Sequence, residues 1–196
     1  MIEEQLDELY DYERPNRYEV FRQKNAPETV NSLYGEVTRE GVESVIKNFE
    51  SVFSDQKTVF YDAGSGYGSM VLHVAMRCPI KQAKGVEYVP ERVDSANSKI
   101  EKYQYKSAMS PLFVQADFTS SEYDMSDATI VYFDNTCVFR DDVCQTLWDK
   151  LPEGCIFLTR QPWMPASESE RREGFVSGTT YAADYMMAVY VKGEDR

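Results

Sequence analysis

The sequence lacks any apolar run approaching the roughly 20 residues that a bilayer span needs. Its opening residues, MIEEQLDELY, are acidic and carry no apolar leader core. These absences predict a soluble intracellular protein with no membrane role, nuclear in a eukaryote and cytoplasmic otherwise. The four cysteines (Cys78, Cys137, Cys144, Cys155) contain no C-x-x-C pair, so reduced thiols in buried elements are expected, with no zinc site, no other metal and no disulfide. Positive charge is scarce: 21 Lys and Arg stand against 33 Asp and Glu, for a net charge of -12. The basic residues are also scattered (Arg77, Lys81, Lys84, Lys99, Lys102, Lys106, Arg171, Arg172) and form no stripe, which argues against direct nucleic-acid binding by this chain. An acidic surface suits a basic protein partner instead. The one histidine, His73, sits mid-helix among apolar residues and reads as part of the core.

What is present is a foldable α/β chain. A hydrophobic content of 42% is enough to build a buried core over 196 residues. Residues 1–33 read as an N-terminal arm of short helices and loops, broken by Pro15 and Pro27. Residues 34–196 read as one domain, without repeats, low-complexity tracts or linkers. Residues 38–53 place Val42, Val45, Ile46, Phe49 and Val52 on one helical face, with Thr38 as its cap. Strands are predicted at 58–62, 83–88, 112–116, 128–133 and 155–159, and helices at 69–77, 90–106 and 140–150. A further strand pattern, YMMAVYV, in the tail 175–192 is expected at the sheet edge. Strands joined by helix-length connections imply a mostly parallel, Rossmann-like sheet with helices on both faces. Its ligand belongs beyond the carboxyl ends of the strands.

The stretch TVFYDAGSGYGSMVLHVAMR (58–77) runs strand, glycine turn, helix. The turn could hold a nucleotide phosphate, a nucleoside sulfonium, or nothing. A dinucleotide fingerprint fails, because the third glycine would fall at Ser69 or Val71; a P-loop fails for want of its lysine. The remaining pattern, D-x-G-x-G-x-G over Asp62, Gly64, Gly66 and Gly68, brings bare backbone close to a ligand. Asp62 would repel a pyrophosphate and attract ammonium or sulfonium groups. Glu87 ends the second strand where an acid takes ribose hydroxyls. Asp117 and Phe118 follow the third strand, where a carboxylate can accept from an adenine amine while the ring packs on the base. The ordered set describes a pocket for S-adenosyl-L-methionine (AdoMet).

SLYGEVTREG (32–41), FYDAGSGYGSMVLHVA, KGVEYVPERVDSA and VYFDNTCVF (131–139) together resemble the Dot-one family (disruptor of telomeric silencing one), over roughly residues 30 to 192. Its members are non-SET methyltransferases of the class I fold that modify a lysine in the core of a histone. The resemblance implies a loop of Tyr34, Gly35 and Glu36 closing over the methionine end of AdoMet, with Asp62, Gly64 and Gly66 at the glycine turn. It likewise implies Glu87 at the ribose and Asp117 with Phe118 at the adenine. Asn135 would contact the cofactor and line the lysine channel, with a C-terminal tyrosine, Tyr185 or in its place Tyr181. Tyr34, Asn135 and Tyr185 are thus the expected catalytic residues. Ser69 stands where the family has Gln, and Asp134-Asn135 where it has Asn-Asn. The basic segment used there for nucleosome binding is absent. The implied activity is AdoMet-dependent lysine methylation of a histone or another basic protein. The competing expectations are a methyltransferase of a non-histone protein or small amine, and a non-catalytic cofactor-binding module.

Overall fold

The computed structural model describes residues 1–11, 35–136, 141–163, 171–179 and 182–193, with side chains described throughout except at 141, 171–179 and 182–186. Its centre is a seven-stranded sheet. Strands β1 (Val59–Ala63), β2 (Gln82–Glu87), β3 (Leu112–Gln115), β4 (Ile130–Phe133) and β5 (Ile156–Thr159) are parallel. They are followed by an antiparallel hairpin, β6 (Arg171–Thr179) and β7 (Ala182–Val191). The order is β3-β2-β1-β4-β5-β7-β6. β7 lies between β5 and β6, so the edge belongs to β6 and not to the YMMAVYV strand. β6 carries the more polar sequence RREGFVSGT, which suits an edge and hides it from an apolar scan.

Every residue of β1 is buried, as expected of a central strand covered on both faces. The side-chain period of two divides the core. Phe60, Ile130, Tyr132, Leu158 and Val189 face one layer, with helix α4 (Ser69–Arg77), helix α2 (Arg39–Asn48) and the N-terminal helix α1 (Ile2–Tyr10). Tyr61, Val131, Phe133, Phe157 and Tyr190 face the other, with helix α6 (Asp141–Lys150) and Trp163. Trp148, Phe157, Trp163 and Tyr190 form a mutually edge-on or tilted aromatic group there. Trp163 is therefore a core anchor. Cys78, Cys144 and Cys155 are buried free thiols. Among the described residues, no helix is long and apolar enough to cross a membrane.

Helix α1 docks on α4 through fully or nearly fully buried Leu6 and Leu9. His73 joins that interface as a hydrogen-bonded core residue: its Nδ1 meets the Tyr10 hydroxyl at 3.0 Å and its Nε2 meets Glu43 at 3.1 Å. Burial, first among the causes, holds its pKa down. Thr38 caps α2, accepting from the Gly41 N–H at 3.1 Å. The helix pattern from 38 to 53 breaks at Phe49 (φ -121°, ψ 36°) into α2 and a short α3 (Glu50–Phe53).

Candidate active site

The strand order reverses between β1 and β4, so the crevice beyond their carboxyl ends is open to a ligand. Gly35, Glu36, Asp62, Gly64 and Gly66 line it, and it is partly open to solvent. Glu36 arrives on the segment before α2 and is tied to the start of α4, where the Ser69 hydroxyl donates to its Oε1 at 3.0 Å.

The glycine turn is built by backbone conformation. Gly64 and Gly68 sit at φ +86° and +83°, in the left-handed region that side chains disfavour. At Gly68 a Cβ would also stand 2.6 Å from the Phe113 ring, whereas at Gly64 nothing lies within 4 Å. The space over Gly64 is free for a ligand. The Gly64 and Ser65 N–H groups both donate to the Val86 carbonyl, at 2.7 and 3.0 Å. The Gly68 N–H donates to Ser65 O, and the Gly66 N–H donates to Glu87 Oε2 at 2.9 Å. These amides are occupied within the protein, the reverse of a phosphate cradle, in which they would point at the ligand.

Carboxylates, by contrast, converge. Asp62 is buried, and burial first, then the charges of Glu87, Asp134 and Glu36, push its carboxyl well above the usual carboxylate range. Arg92, 3.7 Å from Glu87, and Arg160, 4.0 Å from Asp134, offset part of this charge, and the acids in excess fit a cation. Ser65 also lines the crevice, but its hydroxyl is buried against Gly85 of β2, where it has no partner within the protein. Bare space over Gly64 and three acids at the crevice together fit a ligand with a positive group.

The other expected residues are placed less uniformly. Glu87 frames the turn, accepting from Gly66 and Val89 N–H at 2.9 Å each, with Arg92 at 3.7 Å. Asp117 accepts from the Thr119 N–H and hydroxyl, at 2.9 and 2.6 Å, and Phe118 meets Phe133 edge-on at 5.2 Å. Asn135 turns away from the crevice: it is buried against α6, and its amide grips the Gln161 peptide, accepting N–H at 2.6 Å and donating to the carbonyl at 3.0 Å. Tyr185 pairs in β7 with Ser177 of β6, its side chain outside the described set. Tyr34 and Tyr181 lie outside the described residues. Asp134 lines the crevice instead of its neighbour Asn135, with Tyr132 on the same side. Strand alternation, extended past Phe133, carries the signal for that choice.

The fold and this site define a class of protein: a Rossmann-like class I methyltransferase. An RNA methyltransferase from Salinibacter ruber, solved with S-adenosyl-L-homocysteine, superposes with a TM-score of 0.60 at 21% identity, over 81% of this chain and 95% of that one. Magnesium protoporphyrin IX methyltransferase (ChlM) from Synechocystis, solved with bound AdoMet, superposes with a TM-score of 0.54 at 13% identity, over 78% of each chain. At these identities the likeness concerns the fold. No curated protein sequence matches the chain. Residues 16–153 match the family model described as Histone methylation protein DOT1, and the chain belongs to that family. With it, the protein is an AdoMet-dependent methyltransferase.

Proposed function

We propose that the protein methylates a lysine side chain of a basic protein, a histone included. The observation that carries this reading is the convergence of Asp62, Glu36 and Asp134 on the crevice beside the bare Gly64 backbone. Asp62 and Glu36 hold the cationic methionine end, with Tyr34 and Gly35 over it. Gly64 and Gly66 admit the ligand backbone. Glu87 retains lone pairs beyond the two used by Gly66 and Val89, which ribose hydroxyls can share. Asp117 and Phe118 receive the adenine. Bound there, AdoMet supplies a methyl group on a positively charged sulfur.

The acceptor amine must be neutral to attack. Deprotonating a lysine of ordinary basicity at neutral pH costs about 4–5 kcal/mol. Burial in an apolar channel lowers that cost by desolvating the ammonium. The amine lone pair then forms the N–C bond as the C–S bond breaks in line. The electron pair leaves on sulfur as a neutral thioether, and the ammonium proton passes to water. No side chain acts as an essential general base. Asp134 captures the incoming ammonium at the crevice. Asn135 fixes the Gln161 peptide behind the crevice.

The acidic surface, net -12, steers basic partners by long-range attraction. The test is incubation of the full-length protein and methyl-labelled AdoMet with core histones, nucleosomes, basic peptides and small amines. Label on lysine of a basic protein is expected. Label confined to small amines would overturn the protein-lysine reading.

A further inference from the structure

Lys150, the last residue of α6, extends beneath the loop that joins β3 to β4. Its ammonium donates to three carbonyls of that loop: Phe118 at 2.7 Å, Tyr123 at 3.1 Å, and Ser120. Three donors are the full capacity of an ammonium, so the group is wholly committed to one loop. The loop begins with Asp117 and Phe118. Within it the Ser120 N–H returns to Asp117 O at 3.0 Å, and the Tyr123 N–H to Ser120 O at 3.1 Å. Asp117 and Asp124 hold the ammonium electrostatically, against the cost of its partial burial. The later part of the loop is pinned by buried Met125 and Ala128 and by Asp127, which meets the Tyr61 hydroxyl and the Lys84 ammonium; at 118–123 the rings of Phe118 and Tyr123 are only partly buried against the core.

We infer that Lys150 is a positioning residue for the adenine end of the cofactor: it gathers the 118–123 carbonyls and so fixes Asp117 and Phe118 in a binding-ready arrangement. The inference rests on the AdoMet reading above. It concerns affinity, because Lys150 reaches neither the crevice wall nor any acceptor group. Without the ammonium, the loop must be ordered at the moment of binding, and that cost is subtracted from affinity.

The experiment is calorimetric titration of full-length wild type, Lys150→Met and Lys150→Arg with S-adenosylhomocysteine and with adenosine, alongside steady-state kinetics. Lys192→Met is the control. Its ammonium caps the same end of α6 through Trp148 and Asp149 carbonyls, at 2.7 and 3.1 Å, without touching the loop. Lys150→Met should weaken both ligands by the same factor, about tenfold, and raise KM for AdoMet with kcat at saturating cofactor unchanged. Lys150→Arg, which keeps charge and donors, should recover most of the affinity. Lys192→Met should bind like wild type even where it melts earlier. Equal affinity of Lys150→Met and wild type, or a loss equalled by Lys192→Met, would overturn this inference alone. Failure of the wild type to bind S-adenosylhomocysteine would overturn the cofactor reading and this inference with it.

Discussion

Replacing Asp62 by Asn should cost cofactor affinity in a pH-dependent way. Asp62 is 5% exposed, and burial and three neighbouring acids push its carboxyl upward. A cationic group at ion-pair contact, roughly 4 Å away in an effective dielectric of about 20, contributes about 4 kcal/mol. Part of that is spent ionising Asp62, at about 1.4 kcal/mol for each pH unit by which its pKa exceeds the pH. Asp62→Asn should therefore bind AdoMet more weakly near neutral pH, by the part of that attraction left after ionisation. The linkage has a definite sign. In the free protein the raised pKa favours folding most at pH below the unfolded value, and that contribution is lost as pH rises through the folded value. Asp62→Asn should therefore melt higher than wild type in the absence of ligand, by a margin that grows with pH. A cation bound beside Asp62 pulls its pKa back down, so AdoMet affinity should rise with pH and binding should release a proton. Calorimetry in buffers of different ionisation enthalpy measures that release directly. Proton-neutral binding, equal from about pH 6 to 9 in wild type and Asp62→Asn alike, would refute the electrostatic reasoning.

Further outcomes follow from single contacts. Gly68→Ala places a Cβ 2.6 Å from the Phe113 ring at φ +83°, and should cost about 2–5 kcal/mol in denaturant unfolding. Asn135→Ala removes both hydrogen bonds to the buried Gln161 peptide; it should lower stability by about 1–3 kcal/mol and reduce kcat while leaving the Kd for AdoMet unchanged. Glu43 is held down to about 2 by its His73 hydrogen bond and by Arg77. Its stabilising contribution, present above the unfolded pKa, should be lost as pH falls from about 4.3 toward 2. Because Glu43 is 35% exposed, solvent screening limits Glu43→Gln to about 1 kcal/mol, read from the acid limb of a stability curve.

The β1–turn–α4 unit is legible in the sequence because three local signals agree there: an apolar strand, a glycine turn and an apolar helical stretch, with α4 falling on 69–77 as expected. The helix expected over 90–106 is not legible in the same way. The helix there, α5 (Pro90–Asn97), ends where the Ser98 hydroxyl turns back to the Ser95 carbonyl at 2.7 Å. Such side chains compete with the helix ladder, so Ile100 and Tyr103 reach the core from a 3-10 turn and an irregular segment. The β6–β7 hairpin is legible only in its inner strand, since the outer one lacks apolar alternation. At the site, the carboxylates of Asp62 and Glu36 are visible as residues, but their proximity is a product of tertiary folding. The same holds for the Ser69–Glu36 bond and for Lys150 beneath the Phe118 loop, which join segments more than 30 residues apart. Asp134 and Asn135 differ by one position and face opposite sides, one lining the crevice and the other held in the α6 layer.

A complex with S-adenosylhomocysteine, solved by crystallography, examines the core of the account most directly. The ligand should lie across the ends of β1 and β2, its amino-acid end among Glu36, Asp62 and the Gly64 backbone, its adenine against Phe118. Ligand density elsewhere on the molecule, or Gly64 and Asp62 left without contact to the ligand, would contradict it.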